Sequence, residues 1–327
     1  MSQLTVCNFR GDDLERLRQF ASLRKALPYR FPEESYPPDA TFFLVTSGSR
    51  PVARAAFVPN PHLSPEIGLF GFFEAWNDPS AAAMLFQALE EHARSLGKHR
   101  LVGPINGSTW NSYRVAVPEG EPFLLDVCSQ PYYCKLFEDN GFNTFAEYFS
   151  SKSELTAESF PTWQERHRLL MDGGYSIHSL DLLHAESQLL EIHRLAVVAF
   201  RRNFLYTPIS EQAFLEKYLP LVQKADPRFI FLLRDHAARL VGFHFAIANL
   251  LCVHSRELVQ KTIAIADELR GKGIGSFLME HCRRRAWENG YTSVYHALMH
   301  KDNISAKFNA ARQRVVRQYK LYFREWA

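Results

Sequence analysis

The apolar positions of the C-terminal half change period in a definite order. "YSIHSL", from Tyr175, alternates and predicts a strand, whereas "ESQLLEIHRLAVVAFRRNF" puts Leu189, Ile192 and Ala196 on one face at helical spacing. "EQAFLEKYLPLVQ" predicts a second helix, and "RFIFLLR", "RLVGFHFAIANL" and "ELVQKTIAIA" read as three strands. After a glycine-rich turn come a helix, the strand "SVYHALMH", a short helix over "NISAKFNAARQ" and a last strand, "VVRQYKLYFRE". The predicted order is β-α-α-β-β-β-α-β-α-β.

The first half can be written in nearly the same order, from "LTVCNF" through a helix over Asp12 to Leu27 and a helix from Pro79 to Leu96 to "FNTFAEYFSS". At an offset of 193 positions "LEEHARSLGKHRLVGP" lies over "CRRRAWENGYTSVYHA", with Gly97 on Gly290 ending both helices. The pattern predicts an α/β chain, of the α+β mixed-sheet kind, built as two similar domains in tandem: residues 1–150, a connector over 151–174, and residues 175–327.

Composition changes this picture in three ways. Residues 1–150 carry 13 Lys and Arg against 17 Asp and Glu, and the remainder 25 against 18, so the formal charge of +3 divides into −4 and +7. That surplus suits a phosphorylated small molecule at one site and falls short of the basic footprint of a nucleic-acid binder. Cys7, Cys128, Cys134, Cys252 and Cys282 are scattered without a CxxC pair, so neither a disulfide framework nor a zinc site is expected. The longest apolar run, "VGFHFAIANLLCV", is interrupted by His244 and Asn249, and a cytoplasmic protein without membrane attachment is expected.

The candidate chemistry lies in "RGKGIG": Arg270, Gly271, Lys272, Gly273, Ile274 and Gly275. Glycines remove the Cβ atoms that block a ligand and permit turns that aim successive N–H groups at one point. A helix begins there, contributing unpaired amides and the positive end of its dipole, so the segment predicts a phosphate site. The spacing is not that of the nucleoside-triphosphate loop, which needs Gly-x4-Gly-Lys-Ser/Thr, nor of the dinucleotide fingerprint Gly-x-Gly-x-x-Gly. The helix itself has Ile274, Leu278, Cys282 and Ala286 on an inner stripe, joined by Phe277 and Met279, and its pattern predicts Glu280, Arg283, Arg284 and Glu288 facing outward.

Taken with its flanking elements, this segment resembles the GNAT acetyltransferase superfamily: Arg/Gln-x-x-Gly-x-Gly/Ala after an alternating strand, then helix, strand, Asn and helix. The resemblance covers roughly Tyr175 to Glu325. It implies two GNAT-like acyl-CoA N-acyltransferase domains in tandem, the first degenerate, with acetyl-CoA as cosubstrate and no metal. It also implies that the amides of Arg270, Gly271, Lys272, Gly273, Ile274 and Gly275 hold the pyrophosphate, that the backbone of Ile263, Ala264 and Ile265 pairs with the pantetheine arm and meets the thioester carbonyl, and that Asn303 opens the next helix beside that arm. Lys272, Arg283, Arg284 and Lys307 are candidates for the 3′-phosphate.

Acetyl transfer to an amine needs a neutral amine, a polarised carbonyl and a proton for the leaving thiolate. Glu257, the carboxylate at the start of the pairing strand and expected at its splayed edge, is the candidate base, with an exposed strand-end role as the alternative. His296 is a candidate relay; His300 is expected on the same face but about 13 Å away, too far to share a metal with it. The family's usual acid, a Tyr about seven positions after the Asn, is replaced by Asn309 and Ala310, so Tyr319, Tyr322 or water is the candidate substitute, with core packing as the alternative role of both tyrosines. Arg202, Phe204 and Tyr206 in "FRRNFLYTPIS" are expected to line the acceptor pocket. The acceptor is expected to be a small-molecule amine or a peptide. A non-catalytic acyl-CoA-binding module and an aminoacyl-tRNA-dependent transferase are the alternative functions.

In the first half "NDPSAA", Asn77 to Ala82, stands where the glycine loop would be, so no acetyl-CoA is expected there. The loop "GPINGSTWNSYR", Gly103 to Arg114, is either part of an acceptor site or a turn-rich structural loop.

Overall fold

A computed structural model describes residues 3–26, 34–251, 256–302 and 313–326. In chain order the first elements are β1 (Leu4–Phe9), α1 (Leu14–Ala26), β2 (Thr41–Ser47), β3 (Arg50–Val58), β4 (Ile67–Ala75), α2 (Pro79–Ser95), β5 (Arg100–Gly103), β6 (Val115–Ala116), α3 (Tyr133–Asp139) and β7 (Asn143–Glu154). Then follow α4 (Trp163–Asp172), β8 (Ser176–Ser179), α5 (Ala185–Phe200), α6 (Glu211–Lys224), β9 (Ile230–Arg234), β10 (Leu240–Ala248), β11 (Glu257–Ile265), α7 (Ile274–Glu288), β12 (Ser293–His300) and β13 (Arg314–Glu325). The helix expected over "NISAKFNAARQ", with Asn303, Lys307, Asn309 and Ala310, lies outside the described residues.

The chain divides into two compact units. One contains Met1–Glu119, Val127–Glu147 and Gln318–Ala327, the other Gly120–Asp126 and Tyr148–Arg317. The last strand from Gln318 onward thus groups with the first half of the sequence, and the seven-residue segment Gly120–Asp126 with the second.

In the first unit the strand order is β1-β2-β3-β4-β5-β13-β7, with β6 also on β13. β4, "IGLFGFFEA", is apolar at nearly every position because both of its faces are covered, a pattern of central strands. Phe70, Phe73, Phe86, Phe137 and Phe142 pack around α2 and α3, with ring centroids 4.8 Å apart for Phe73–Phe137 and Phe86–Phe142. Burying such rings contributes roughly 1.5–3 kcal/mol each.

In the second unit the order is β7-β12-β11-β10-β9-β8. The α7 stripe read from sequence is buried: Ile274, Phe277, Leu278, Met279, Cys282 and Ala286 face the sheet, where Leu258, Val294, Phe231 and Ala246 meet them. α2 and α7 end alike, as the offset of 193 requires. Gly97 and Gly290 both take left-handed φ, of 69° and 78°, and Lys98 and Tyr291 donate back to Ala93 and Ala286 across 3.0 Å each.

The outward half of the α7 pattern does not hold as read. Glu280 and Arg283 are 6% and 1% exposed, because residues 155–172, expected as a connector, pack against α7 as a further layer. Arg166 of α4 binds Glu280, Phe160 lies beneath the Arg283 guanidinium, and Arg284 sits 3.6 Å over the Trp163 ring. A helix buried on two sides carries polar residues on its second face when a polar partner covers them, which periodicity alone does not reveal.

Candidate functional site

β11 and β12 run parallel and pair over four positions, from Glu257 with Ser293 to Gln260 with His296. Beyond that the two strands part, while β11 continues along β10 to Ile265. Ala266 donates to Val241 of β10 across 2.9 Å, and antiparallel alternation then turns the N–H and C=O of Ala264 toward β10 and those of Ile263 and Ile265 away from it, into the gap that β12 has left. The gap therefore offers a strand edge to an extended ligand.

The glycine loop follows at the end of that edge. Gly271 and Gly273 take left-handed φ of 77° and 76°, and Gly271, Lys272 and Gly273 are exposed. Gly273 is the N-cap of α7, and among the described residues no side chain caps that end. A Cβ at Gly271 would meet nothing within 4 Å, so the turn opens outward. The segment from α5 to α6 reaches the same place: Arg201 Nη2 lies 2.7 Å from Asp267 Oδ2, the Arg270 guanidinium donates to Ala199 O, and Phe204 packs 5.9 Å from His300 at the far end of β12.

A splayed parallel pair, an open strand edge and an uncapped helix start converge at one mouth. The acetyltransferase (GNAT) family model matches residues 189–310, the segment that contains all three. Over that segment the chain carries a GNAT-family domain. A tandem GNAT protein of the clavulanic acid pathway superposes with a TM-score of 0.55 at 14% identity, covering 99% of this chain and 98% of that one. An Enterococcus faecalis protein described as a probable N-acyltransferase gives 0.60 at 7% identity, over 99% and 73%. Among curated proteins, the bacterial ceramide synthase of Caulobacter vibrioides is 24% identical over 200 residues, 59% of this chain. The chain spans about half the length of that relative, 52%. GNAT proteins are acyltransferases, and their fold generally uses acyl-CoA. Among the described residues no three His, Cys, Asp or Glu side chains are grouped to hold a metal, and no helix is long and apolar enough to cross a membrane.

The predicted GNAT site residues separate into distinct places. Ile263, Ala264 and Ile265 form the open edge, and Arg270 to Gly275 the loop; Asn303 is outside the described residues. Arg283 is buried against Phe160, and Arg284 pairs with Glu288 at 2.8 Å, which leaves Lys272 as the exposed cation of the loop among those proposed for the 3′-phosphate. Glu257 stands at the paired end of the ladder, not at the splayed edge where it was expected, since its partner Ser293 opens β12. Nor is it an exposed strand end. It is 7% exposed, 2.5 Å from Lys152 Nζ and 2.9 Å from Asn249 Nδ2.

His296 shares the α7 face with Gln260, whose amide donates to Met279 O, while Glu257 occupies the other face. A bulge between His296 and Met299, with Leu298 at φ 58°, shifts the alternation. His300 accordingly lies on the face opposite His296 rather than the same one, beside Tyr148 and Phe204. Phe204 is thus brought to the mouth. Tyr206 is half-buried, and burial raises its phenol pKa; Arg202 is exposed. Tyr319 belongs to the first unit and is 1% exposed, with Arg114 5.9 Å from its ring.

Two features had no local sequence signal. One is Lys152. The other is the segment Gly120–Asp126, which lies on the Glu257 face: Phe123 packs 4.8 Å from the Tyr295 ring, Leu124 donates to Asn249 Oδ1 at 2.9 Å, Lys261 reaches Leu125 O at 2.6 Å, and Asp126 pairs with Arg317 at 2.7 Å. Leu124 and Asn249 are 125 positions apart, and no window of the sequence joins them.

The equivalent cleft of the first unit is closed by its own chain. β4 and β5 pair from Ile67 with Arg100 to Leu69 with Val102 and then part. Ile105 N donates to Phe70 O at 2.7 Å, Asn106 Oδ1 accepts from Phe72 N at 2.7 Å, and the hydroxyls of Tyr133 and Tyr132 engage Ala75 N and Ala75 O. A side chain at Gly71 would lie 2.3 Å from Ile105 O. The loop from Gly103 to Arg114 thus fills the place of an extended ligand. The helix start is also filled: Asp78, the actual N-cap, accepts from Ser80 N at 3.0 Å and Ala81 N at 3.1 Å, so a carboxylate already sits where α7 offers bare amides.

Burial on the α7 face sets a pH response. Desolvation lowers the pKa of His244 and of His296 to about 3 each, and both are 1% exposed. Below the ordinary value of about 6.5 the unfolded chain takes up protons that these rings refuse. Their contribution is therefore present above pH 6.5 and is lost as pH falls toward about 3, at about 1 kcal/mol per pH unit for each ring. Urea unfolding between pH 7 and 5 should show this slope. His296→Gln should make it shallower by one proton, and an unchanged slope would refute the assignment.

Proposed function

We propose that the second unit binds acyl-CoA at the β11–α7 mouth and transfers an acetyl group directly from acetyl-CoA to an amine. The observation that carries this reading is the uncapped, outward-facing start of α7 at the end of an unpaired strand edge, which matches a pyrophosphate joined to an extended amide-bearing arm. Acetyl-CoA would supply an activated thioester. The amides of Arg270 and Lys272 are bonded to Asp267 O and Leu269 O, so the chain's part is to hold the phosphates on the remaining amides of the loop, at Gly271 and residues 273–275, to align the arm along Ile263 and Ile265, and to present the amine from the face of Phe204, Tyr206 and His300. The carboxylate of Glu257 is engaged by Lys152 and Asn249, which suits a positioning role rather than that of a free base.

A short acyl group is favoured by the end of the β11–β12 ladder. There Gln260, His296 and, from β10, His244 close the α7 face, and the Nδ1 atoms of both histidines lack a partner among the described residues. A hydrocarbon chain lodged there could not satisfy them. A longer acyl group on a lipid amine is the second reading, favoured by the relative named as a ceramide synthase, since ceramides are long-chain amides.

Calorimetric titration of acetyl-CoA into the full chain is expected to give one site per chain, the first unit being closed. Thiol release over a panel of amines, with acyl-CoA donors from two to sixteen carbons, tests turnover and chain length. Binding without turnover on any amine would favour a sensing module; no binding of any acyl-CoA would remove the donor site.

A further inference from the structure

The donor loop is touched by a cation from outside the family-matching segment. Arg166 of α4 donates through Nη2 to Gly273 O at 2.5 Å and to Ser276 Oγ at 2.9 Å, and through Nη1 to Glu280 Oε2 at 3.0 Å. A guanidinium has five N–H donors, and these bonds engage three of them. Its side chain retains 29% exposure, beside the N-cap of α7. A cation is electrostatically disfavoured at the positive end of a helix, so something must offset it.

The charges in hand do not. Around the loop stand Arg166, Arg201, Arg239, Arg270 and Lys272 against Asp267, Glu268, Glu280 and Asp235, the last sharing Arg239 with Glu268. Five cations against four carboxylates leave one positive charge facing an uncapped helix start. That balance fits a multiply charged phosphate, and the fork geometry of arginine suits phosphate oxygens better than an ammonium does.

We propose that Arg166 is a phosphate-binding residue of the donor site, so that the α4 layer takes part in cosubstrate recognition. This rests on the acyl-CoA reading above. The contacts to Gly273 O, Ser276 Oγ and Glu280 hold the guanidinium along the first two turns of α7, beside the loop, and the remaining Nε and Nη1 N–H groups would meet either the pyrophosphate or the 3′-phosphate of the donor.

The test titrates acetyl-CoA and dephospho-CoA into the full chain and its Arg166→Gln and Arg166→Lys variants, and follows turnover of S-acetyl-pantetheine, which has no phosphate. Arg166→Gln should bind acetyl-CoA about tenfold or more weakly, as loss of a charge-assisted bond implies. Arg166→Lys should lose less, and S-acetyl-pantetheine turnover should stay within twofold in both. A loss confined to acetyl-CoA assigns the 3′-phosphate, and a loss shared by dephospho-CoA assigns the pyrophosphate. Wild-type affinity in Arg166→Gln, or an equal loss with S-acetyl-pantetheine, would overturn the proposal and make Arg166 a brace of the loop. Failure of wild type itself to bind acetyl-CoA would instead remove the donor site, and the role of Arg166 with it.

Discussion

Gly273→Asp is expected to weaken acetyl-CoA binding about 100-fold, the equivalent of two charge-assisted hydrogen bonds at roughly 1.5 kcal/mol each. The mechanism is displayed within the molecule. At α2, Asp78 spends its carboxylate on Ser80 N and Ala81 N, and that helix start has no amides to offer an anion. An aspartate at Gly273 would reproduce this at α7 and would also lie near the Arg166 guanidinium, whose Nη2 is 3.5 Å from the Cβ position. The left-handed φ of 76° makes the substitution cost about 1–2 kcal/mol of stability, a modest shift against the loss of affinity. Gly273→Asn, with the same shape and strain but no charge, should lose distinctly less. Calorimetry decides: equal affinities for wild type and Gly273→Asp would mean that the phosphates are held elsewhere.

The elements that position this loop were legible because each rests on local rules. The alternation of "ELVQKTIAIA", the three glycines and the inner stripe of α7 specify strand, turn and helix within one window, and the structure has them as β11, the loop and α7. What sequence could not supply were contacts made at long range. Glu280 and Arg283 have the spacing of an outer face and face solvent only if nothing covers them; α4 does. The bulge in β12 that moves His300 to the other face shows itself only in the register against β7. The closed cleft of the first unit was half visible. "NDPSAA" announced the missing phosphate turn, but the amide partners of Phe70 and Phe72 come from Ile105 and Asn106, across a helix and a strand.

Glu257 is where the two kinds of reading part most, and Glu257→Gln is expected to separate them. Burial is the largest influence on the Lys152 ammonium and pulls its pKa down, but the bond to Glu257 together with the charges of Tyr295, Glu257 and Glu154 outweighs it and the net shift is upward, so the ammonium stays charged through neutral pH. Replacing the carboxylate by an amide keeps the Asn249 contact and strands the ammonium, whose side chain is 20% exposed, at a cost of about 2–3 kcal/mol. The consequence should travel through Asn249 to Leu124, loosening the Gly120–Asp126 segment from the face where the amine is proposed to enter. A positioning role then predicts lower unfolding free energy and a raised KM for the amine, with kcat reduced less than tenfold. The double variant Glu257→Gln, Lys152→Met removes both charges, and most of the lost stability should return with it. A general base would differ in the kinetics. Glu257→Gln would lose the same stability, but kcat would fall by a hundredfold or more and adding Lys152→Met would not restore it. Urea unfolding and steady-state kinetics on wild type and these two variants distinguish the two, because the stranded charge and the missing base act on different measured quantities.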